Sequence, residues 1–358
     1  MRKVNRNDLE EAICEFVGKN LKDQVLKDVS RKDYHYKSAF ENWICAQQYK
    51  NENTEERNRR EYRRFFERLE EGREMAEMDI RLITSTQIES LMTAAIKRYN
   101  LTTRKAHEDY NMFFKAVYRQ AIADSLIKSD GDPCLFVLEN RFMQYGRSEK
   151  ERPDDERVIS CDTRKILDNA AQKDHERKED YMPPFAYELS ALTGMRCGEL
   201  AGLVWKNVDF DGGAIHIVQS QKFNEATRQY YIADTKNHKH RQVPITDAIR
   251  DVLDRIRLIQ QRYGKTGDYV FSNGKAACTN RQISDYLQNK RQQYKIVQPV
   301  SIHAARRTLN SRMAVQGVPA STRASLLGHI PRVNENNYTY DMLPMDQKRE
   351  MVANAGKR

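Results

Sequence analysis

The chain has 358 residues, 39% of them hydrophobic and 31% charged, which is enough for two or three domains and for a core that needs no disulfide or metal staple. No apolar run approaches the ~18 residues that span a bilayer, and the N-terminal MRKVNRNDLEEAICEF lacks the apolar stretch of a signal peptide, so membrane insertion and secretion are not expected. Lys and Arg number 61 against 51 Asp and Glu, and the resulting charge of +10 suits a polyanionic partner.

Residues 1–130 hold two glycines, Gly18 and Gly72, and no proline, so the first third reads as mostly helix. Residues 1–45 are read as an N-terminal helical segment without an assigned role. Thr54 to Glu77 is expected as one helix, with Tyr62, Phe65, Phe66 and Leu69 forming an apolar stripe. Thr84-Ser-Thr-Gln-Ile88 looks like a helix start, leading into Leu91, Met92, Ala95 and Ile96. Asn100 and Thr102 punctuate. A further helix carries Tyr110, Phe113, Phe114, Val117, Tyr118, Ala121 and Ile122, and ends near Lys128–Pro133. These helices are expected to form one small bundle, as a domain over 46–148. Residues 145–156, YGRSEKERPDDE, contain no aliphatic residue and read as linker, with the domain boundary set at 149–156.

From Arg157 the pattern changes, and 157–358 is read as a second domain. Helices are expected around Thr163–Arg177, Met182–Thr193 and Glu199–Leu203. Alternating runs at Ala214–Val218, Tyr230–Ala233 and Arg241–Ile245, separated by turn residues, point to one small antiparallel sheet. From Ile249 the chain is again mainly helical. The fold class is therefore mainly α with a small antiparallel β-sheet.

Several chemistries are absent as motifs. There is no GxxxxGK[ST], no GxGxxG after a strand, no HExxH and no GxSxG. The six cysteines are scattered without a CxxC pair, which argues against a zinc ribbon and against a disulfide framework. His238-Lys-His240 sits among Lys236, Lys239 and Arg241, and such cationic neighbours favour a basic turn over a metal site. No metal and no cofactor is expected.

Three C-terminal patches remain. Arg196 lies in TGMRCGEL between two glycines, just before an apolar helix. His303 and Arg306 in HAARR are three apart and share a helix face, where they can donate to two oxygens of one phosphate. LLGH ends at His329, and NNYTYD follows with Tyr338 and Tyr340. Each patch alone has an ordinary structural explanation. The ordered set does not arise readily by chance.

With these residues the chain resembles the tyrosine recombinase (phage integrase) family. That family's pattern is an Arg in TGxRxxEL, a Lys in a β-turn, an HxxR, an LGH and a Tyr nine residues beyond that His. The matches are Arg196, Lys236 in TKNHKHRQVPI, His303 with Arg306, His329 and Tyr338. Lys239 and Arg241 are rivals for Lys236, and Tyr340 is a rival for Tyr338. Three residues depart from the common pattern. HAARR has Ala305 and Arg307 where the family often has HxLRH, and Tyr340 stands where Tyr-Thr-His is frequent.

The resemblance implies a helical core-binding domain followed by a mixed α+β catalytic domain, together closing as a clamp on duplex DNA. It implies a DNA recombinase, an integrase of phages or mobile elements that cuts and rejoins strands through a 3′-phosphotyrosine without ATP or metal. Arg196 and Arg306 would neutralise the transition-state phosphate, helped by His329. His303 would do the same or take the tyrosine proton, and Lys236 would protonate the leaving 5′-oxygen. The implied partners are DNA attachment sites, a tetrameric synaptic complex, an excisionase and a host DNA-bending protein, and the implied location is the cytoplasm, at the nucleoid. The tail from Leu343 to Arg358 would dock on a neighbouring protomer. A type IB topoisomerase and a catalytically silent DNA-binding regulator of the same fold are the alternatives.

Overall fold

The computed structural model describes residues 34–47, 52–101, 104–138, 141, 157–225, 227–235, 238–272, 274, 276–340, 342 and 345–355. The expectations for 1–33 and for the linker lie outside these residues. The chain divides into two compact units, 1–150 and 151–358.

The first unit is helical. It contains α1 (Tyr36–Ala46), α2 (Glu52–Tyr62), α3 (Glu70–Glu77), α4 (Ser85–Tyr99) and α5 (Arg104–Ala123). Helix α4 starts as its sequence suggests. The Thr84 hydroxyl accepts from the Gln87 amide while the Gln87 side chain accepts from the Thr84 amide, so two orphan donors are satisfied at once. It ends on Asn100, which adopts the left-handed conformation at φ 49°. The core is strongly aromatic. Tyr36 stacks on Phe66 at 4.8 Å and Phe40 on Tyr62 at 4.3 Å, with Phe113 5.1 Å from Phe40. Tyr36, Phe40, Trp43 and Ile44 belong to the same apolar cluster as Phe65 to Cys134. The bundle thus recruits residues on the N-terminal side of the expected boundary at 45/46.

The single helix expected over Thr54–Glu77 is interrupted. A π turn occupies Arg63–Glu67, and Leu69 is extended at φ −101°, ψ 143° before α3 begins. The wider π turn aims Phe65 and Phe66 into the core together, which a regular helix would spread over a broader arc. Gly72 makes the break possible, because a Cβ there would lie 1.9 Å from the Phe65 carbonyl oxygen. Gly72→Ala is therefore expected to destabilise the helical unit by about 2 kcal/mol, as an overpacked site whose obstacle is backbone. Urea unfolding followed through Trp43 fluorescence in the full chain checks this, and an unchanged midpoint would contradict it.

The second unit carries α6 (Cys161–Arg177), α7 (Met182–Thr193) and α8 (Cys197–Ala201), then β1 (Val208–Asp209), β2 (Ala214–Ile217), β3 (Gln219–Asn224), β4 (Gln229–Asp234) and β5 (Arg241–Pro244). It continues with α9 (Asp247–Arg262), α10 (Asn280–Gln293), α11 (Ile302–Val315), α12 (Ala320–Leu327), α13 (Pro331–Tyr338) and α14 (Met345–Ala355). Helix α7 is the hub, packed by α6, α9, α10 and α11, and ten of its twelve residues are buried. Its all-round burial matches the apolar run MPPFAYELSALT.

The strands form two sheets where one was expected. One is ordered β1-β2-β5, with Ile215 opposite Val243 and Ile217 opposite Arg241. The other is the β3-β4 hairpin, with Gln221 opposite Ile232. The run at Tyr230–Ala233 pairs with the polar strand QSQKFN, which has too few apolar residues to signal itself. Among the described residues no helix is long and apolar enough to cross a membrane.

A candidate active site around three arginines

The second unit gathers its chemistry at the C-terminal end of α12. A helix end presents carbonyls without helical partners, and here three successive ones each receive a different arginine. Arg241 Nε donates to the Leu326 carbonyl at 2.9 Å, Arg306 Nη2 donates to that of Leu327, and Arg196 Nη2 donates to that of Gly328 at 3.3 Å. Gly328 closes the helix in the left-handed region at φ 66°, and a Cβ there would lie 3.1 Å from Arg241 Nη1. The glycine of LLGH lets the backbone turn and lets a guanidinium lie against it.

Arg196 sits at the N-cap of α8. Its amide donates to Glu199 Oε2 at 2.8 Å and its Nη1 to Glu199 Oε1 at 2.7 Å. Glu199 is 2% exposed and also receives both terminal nitrogens of Arg241, at 2.9 and 2.6 Å. Burial alone would push this carboxyl up. The hydrogen bonds and charge of Arg241, with the charge of Arg196, win and hold it at about 2. One carboxylate thus orients two arginines.

Helix α11 begins at Ser301, whose hydroxyl accepts from the Ala304 amide at 3.0 Å. It carries His303 on the exposed side and Arg306 inward. Arg306 is fully buried. Its Nη1 donates to the Gly194 carbonyl at 2.5 Å, and its Nη2 also lies 2.8 Å from His329 Nε2. A guanidinium only donates, so Nε2 of His329 accepts and the ring proton belongs on Nδ1.

Both histidines are held neutral. Desolvation, then the charges of Arg307, Arg306 and Arg196, lower His303 to about 4. Desolvation, then Arg306, Arg196, Arg241 and His303, lower His329 to about 3. Because the unfolded chain takes up these protons near pH 6.5 and the folded one does not, this contribution to stability is present above pH ~6.5 and lost as pH falls toward these values. In NMR titrations both imidazoles should remain neutral down to pH 5. Adding a duplex oligonucleotide should raise both values, since a nearby phosphate favours the charged form. Titration near pH 6.5 in the free protein would contradict the geometry.

Of the sequence-derived residues, Arg196, His303, Arg306 and His329 thus come together around α12 and α11. Lys236 lies outside the described residues. Tyr338 is the last residue of α13, and its side chain also lies outside them. Its rival Tyr340 is 7% exposed, with its amide on Ser311 Oγ at 3.0 Å. Arg241, a rival for Lys236, is spent on Glu199. The turn around Lys236 is less purely basic than its sequence suggests. Asp234 receives His238 Nδ1 at 2.6 Å and His240 Nε2 at 2.8 Å, and Thr235 Oγ1 donates to the Lys239 carbonyl at 2.9 Å. These contacts tie Asp234 and Thr235 to residues 238–240.

Sequence reasoning assigned no role to Glu199 and treated Arg241 only as a rival for Lys236. Both left a signal. Glu199 stands three residues after the N-cap, where a carboxylate reaches back to the cap. Arg241 shares strand parity with buried Val243, and an inward-facing cation requires a buried partner.

The phage integrase family matches residues 158–341, just over half of the chain. The tyrosine recombinase XerC of Staphylococcus epidermidis is 24% identical over 220 residues, covering 54% of this chain and 68% of that protein. A XerC-like tyrosine recombinase of Caldanaerobacter subterraneus subsp. tengcongensis is 26% identical over 290 residues, covering 75% and 70%. Among solved structures, the Tn1549 transposon integrase in complex with a circular intermediate DNA superposes with a TM-score of 0.71 at 18% identity, covering 90% of this chain and all of that one. A lambda integrase tetramer bound to a Holliday junction gives 0.59 at 14% identity, covering 96% and 91%. These structural likenesses concern the fold.

Proposed function

The chain belongs to the phage integrase family, and we propose that it integrates and excises a mobile element by cutting and rejoining duplex DNA through Tyr338. It is a tyrosine site-specific recombinase. The observation that carries the residue-level reading is the gathering of Arg196, His303, Arg306 and His329 at one helix end.

The reaction balances without an external energy source. The Tyr338 hydroxyl loses its proton to His303 and attacks phosphorus. The P–O bond to the 5′-oxygen breaks, and Lys236 protonates that oxygen. A 3′-phosphotyrosine remains, and a second 5′-hydroxyl reverses the step onto a new strand, conserving the ester bond. Arg196 donates to the non-bridging oxygens, and His329 donates to them from Nε2 once the bound phosphate has raised its value and protonated it. Arg306 holds a permanent charge directly beneath them, in a setting already organised by carbonyls, so little reorganisation is needed as charge develops. His303 is neutral in the free protein, and a bound phosphate, by raising its value from about 4, would let it hold the proton.

The helical unit is proposed as a core-binding domain over about 46–148, joined to the catalytic domain through 149–156. The charge of +10 suits salt-sensitive duplex binding at the nucleoid. A tetramer on two DNA sites is proposed, by analogy with the lambda integrase tetramer on a Holliday junction. Helix α14 exposes Met345, Met351 and Val352, as a tail that docks on a neighbouring protomer would. An excisionase and a host DNA-bending protein are proposed as accessory partners.

The test is covalent trapping. Protein and nicked duplexes, tiled across the ends of the element carrying the gene, are mixed in EDTA and quenched with SDS. A slow-migrating protein–DNA band is expected. Specific binding to the same duplexes without that band would replace this reading by a DNA-binding regulator of the same fold.

A further inference from the structure

Two of the three residues at which the sequence departs from the common family pattern, Arg307 and Tyr340, meet in space. The Arg307 guanidinium lies 5.9 Å from the centre of the Tyr340 ring, and that of Arg157 lies 5.5 Å from it. The ring is buried, and the Tyr340 amide is bonded to Ser311 of α11. The preceding residue is held just as firmly. The Thr339 hydroxyl accepts from Arg323 Nη1 at 2.8 Å and from Asn310 Nδ2 at 3.1 Å, and donates to the Asn334 carbonyl at 3.1 Å. That uses its one proton and both lone pairs. Arg323 is 6% exposed, and Asn310 and Asn334 are fully buried. Arg323 also donates to the Val318 carbonyl at 3.0 Å and to Asn334 Oδ1 at 3.2 Å.

We propose that Thr339 and Tyr340 form a latch that pins the end of α13 to α11 and so sets the position of the tyrosine one residue earlier. The inference rests on the reading of Tyr338 as the nucleophile. The positioning residues are Arg307, Arg323, Thr339 and Tyr340, none of which touches the reacting atoms. A device of this kind is needed here. Helix α13 has only eight residues, Ile330 gives it no side-chain cap, and the chain leaves it extended at Thr339. Such a helix frays unless tertiary contacts hold it. Helix α11 supplies both sides of the reaction: His303 and Arg306 for the phosphate, then Arg307, Asn310 and Ser311 for the latch. One rigid element therefore sets the distance between nucleophile and phosphate, where a misplacement of about 1 Å costs about 100-fold in rate. The cation–π pair holds the ring, whichever hydroxyl it bears.

Single-turnover cleavage of a nicked duplex tests the latch. Tyr340→Ala and Thr339→Val should each slow covalent-complex formation by about 10- to 100-fold. Tyr340→Phe and Thr339→Ser should restore it to within about threefold of wild type, since they keep the ring and the hydroxyl. Duplex affinity should be unchanged in all four variants. Hydrogen exchange over 336–342 should quicken in the first pair and not in the second, a readout that needs no chemistry. Wild-type rates with Tyr340→Ala, losses that track duplex affinity, or Thr339→Ser as slow as Thr339→Val would each overturn the proposal. A wild-type protein that forms no covalent band would defeat the reading of Tyr338, and the exchange arm would still show whether the segment is latched. A band lost in Tyr340→Phe would defeat both.

Discussion

Tyr338→Phe is expected to abolish the covalent protein–DNA band completely while duplex binding stays at the wild-type level. The substitution removes one oxygen and keeps the ring, so the packing at the end of α13 changes little. Without that oxygen no phosphotyrosine forms, and no neighbouring residue takes over. Tyr340 is the nearest rival, and its setting argues against it. Its ring is buried with guanidiniums of Arg307 and Arg157 nearby, and its amide is bonded to Ser311. Delivering its hydroxyl to a phosphate would pull a packed aromatic side chain out of the core, at a cost of roughly 1.5–3 kcal/mol before any chemistry. Tyr340→Phe should therefore keep the band. Binding persists in Tyr338→Phe because duplex affinity is spread over many phosphate contacts, of which one hydroxyl is a minor part. SDS-resistant complexes and filter binding, measured on the same duplex, read the two quantities separately. A band that survives in Tyr338→Phe would overturn the assignment.

Much of this molecule is legible in its sequence because local signals agree with tertiary ones. Thr84 and Gln87 announce the start of α4, and the apolar run of α7 announces a buried helix. The site motifs are legible for a related reason. Phosphate chemistry needs arginines, histidines and a tyrosine in fixed order, and glycines such as Gly328 are required by the backbone around them. What escapes the sequence is set by contacts distant along the chain. The polar side chains of strand β3 find partners far from it in sequence: Gln221 accepts from the Asn280 amide at 2.9 Å and Gln219 donates to the Gly202 carbonyl at 2.7 Å. The π turn at Arg63–Glu67 depends on Gly72 five residues later, and no periodicity encodes it. Arg241 reads as the start of a strand and a rival for Lys236 until Glu199, 42 residues away, appears beside it. The pairing of Arg307 with Tyr340 is likewise invisible, although both of these departures from the family pattern are plain in the sequence.

Glu199→Ala carries the largest expected cost in stability, because it leaves cations where no water can replace their partner. Glu199 is 2% exposed and the Arg241 side chain 4%, and the two share a bidentate pair at 2.9 and 2.6 Å. Removing one partner of a buried pair costs about 3–5 kcal/mol, most of it the penalty of a stranded charge. Arg241→Ala should cost a similar amount. The double variant should cost much less than the sum, since the stranded charge of the fully buried pair is gone and only the partly exposed Arg196 has lost a partner, and denaturant unfolding of the three variants forms the cycle. Cleavage should respond differently. Arg196 loses its bond to Glu199 Oε1 in Glu199→Ala and in the double variant alike, so both should cleave at least 10-fold more slowly, even where stability has returned. Acid unfolding adds a sign. The Glu199 carboxyl is held at about 2, so its contribution is full above pH ~4.5 and disappears as pH falls toward 2. Glu199→Gln should flatten the stability curve across that window. Additive stability losses, or cleavage that recovers in the double variant, would mean that Glu199 merely fills space and does not hold Arg196 in place.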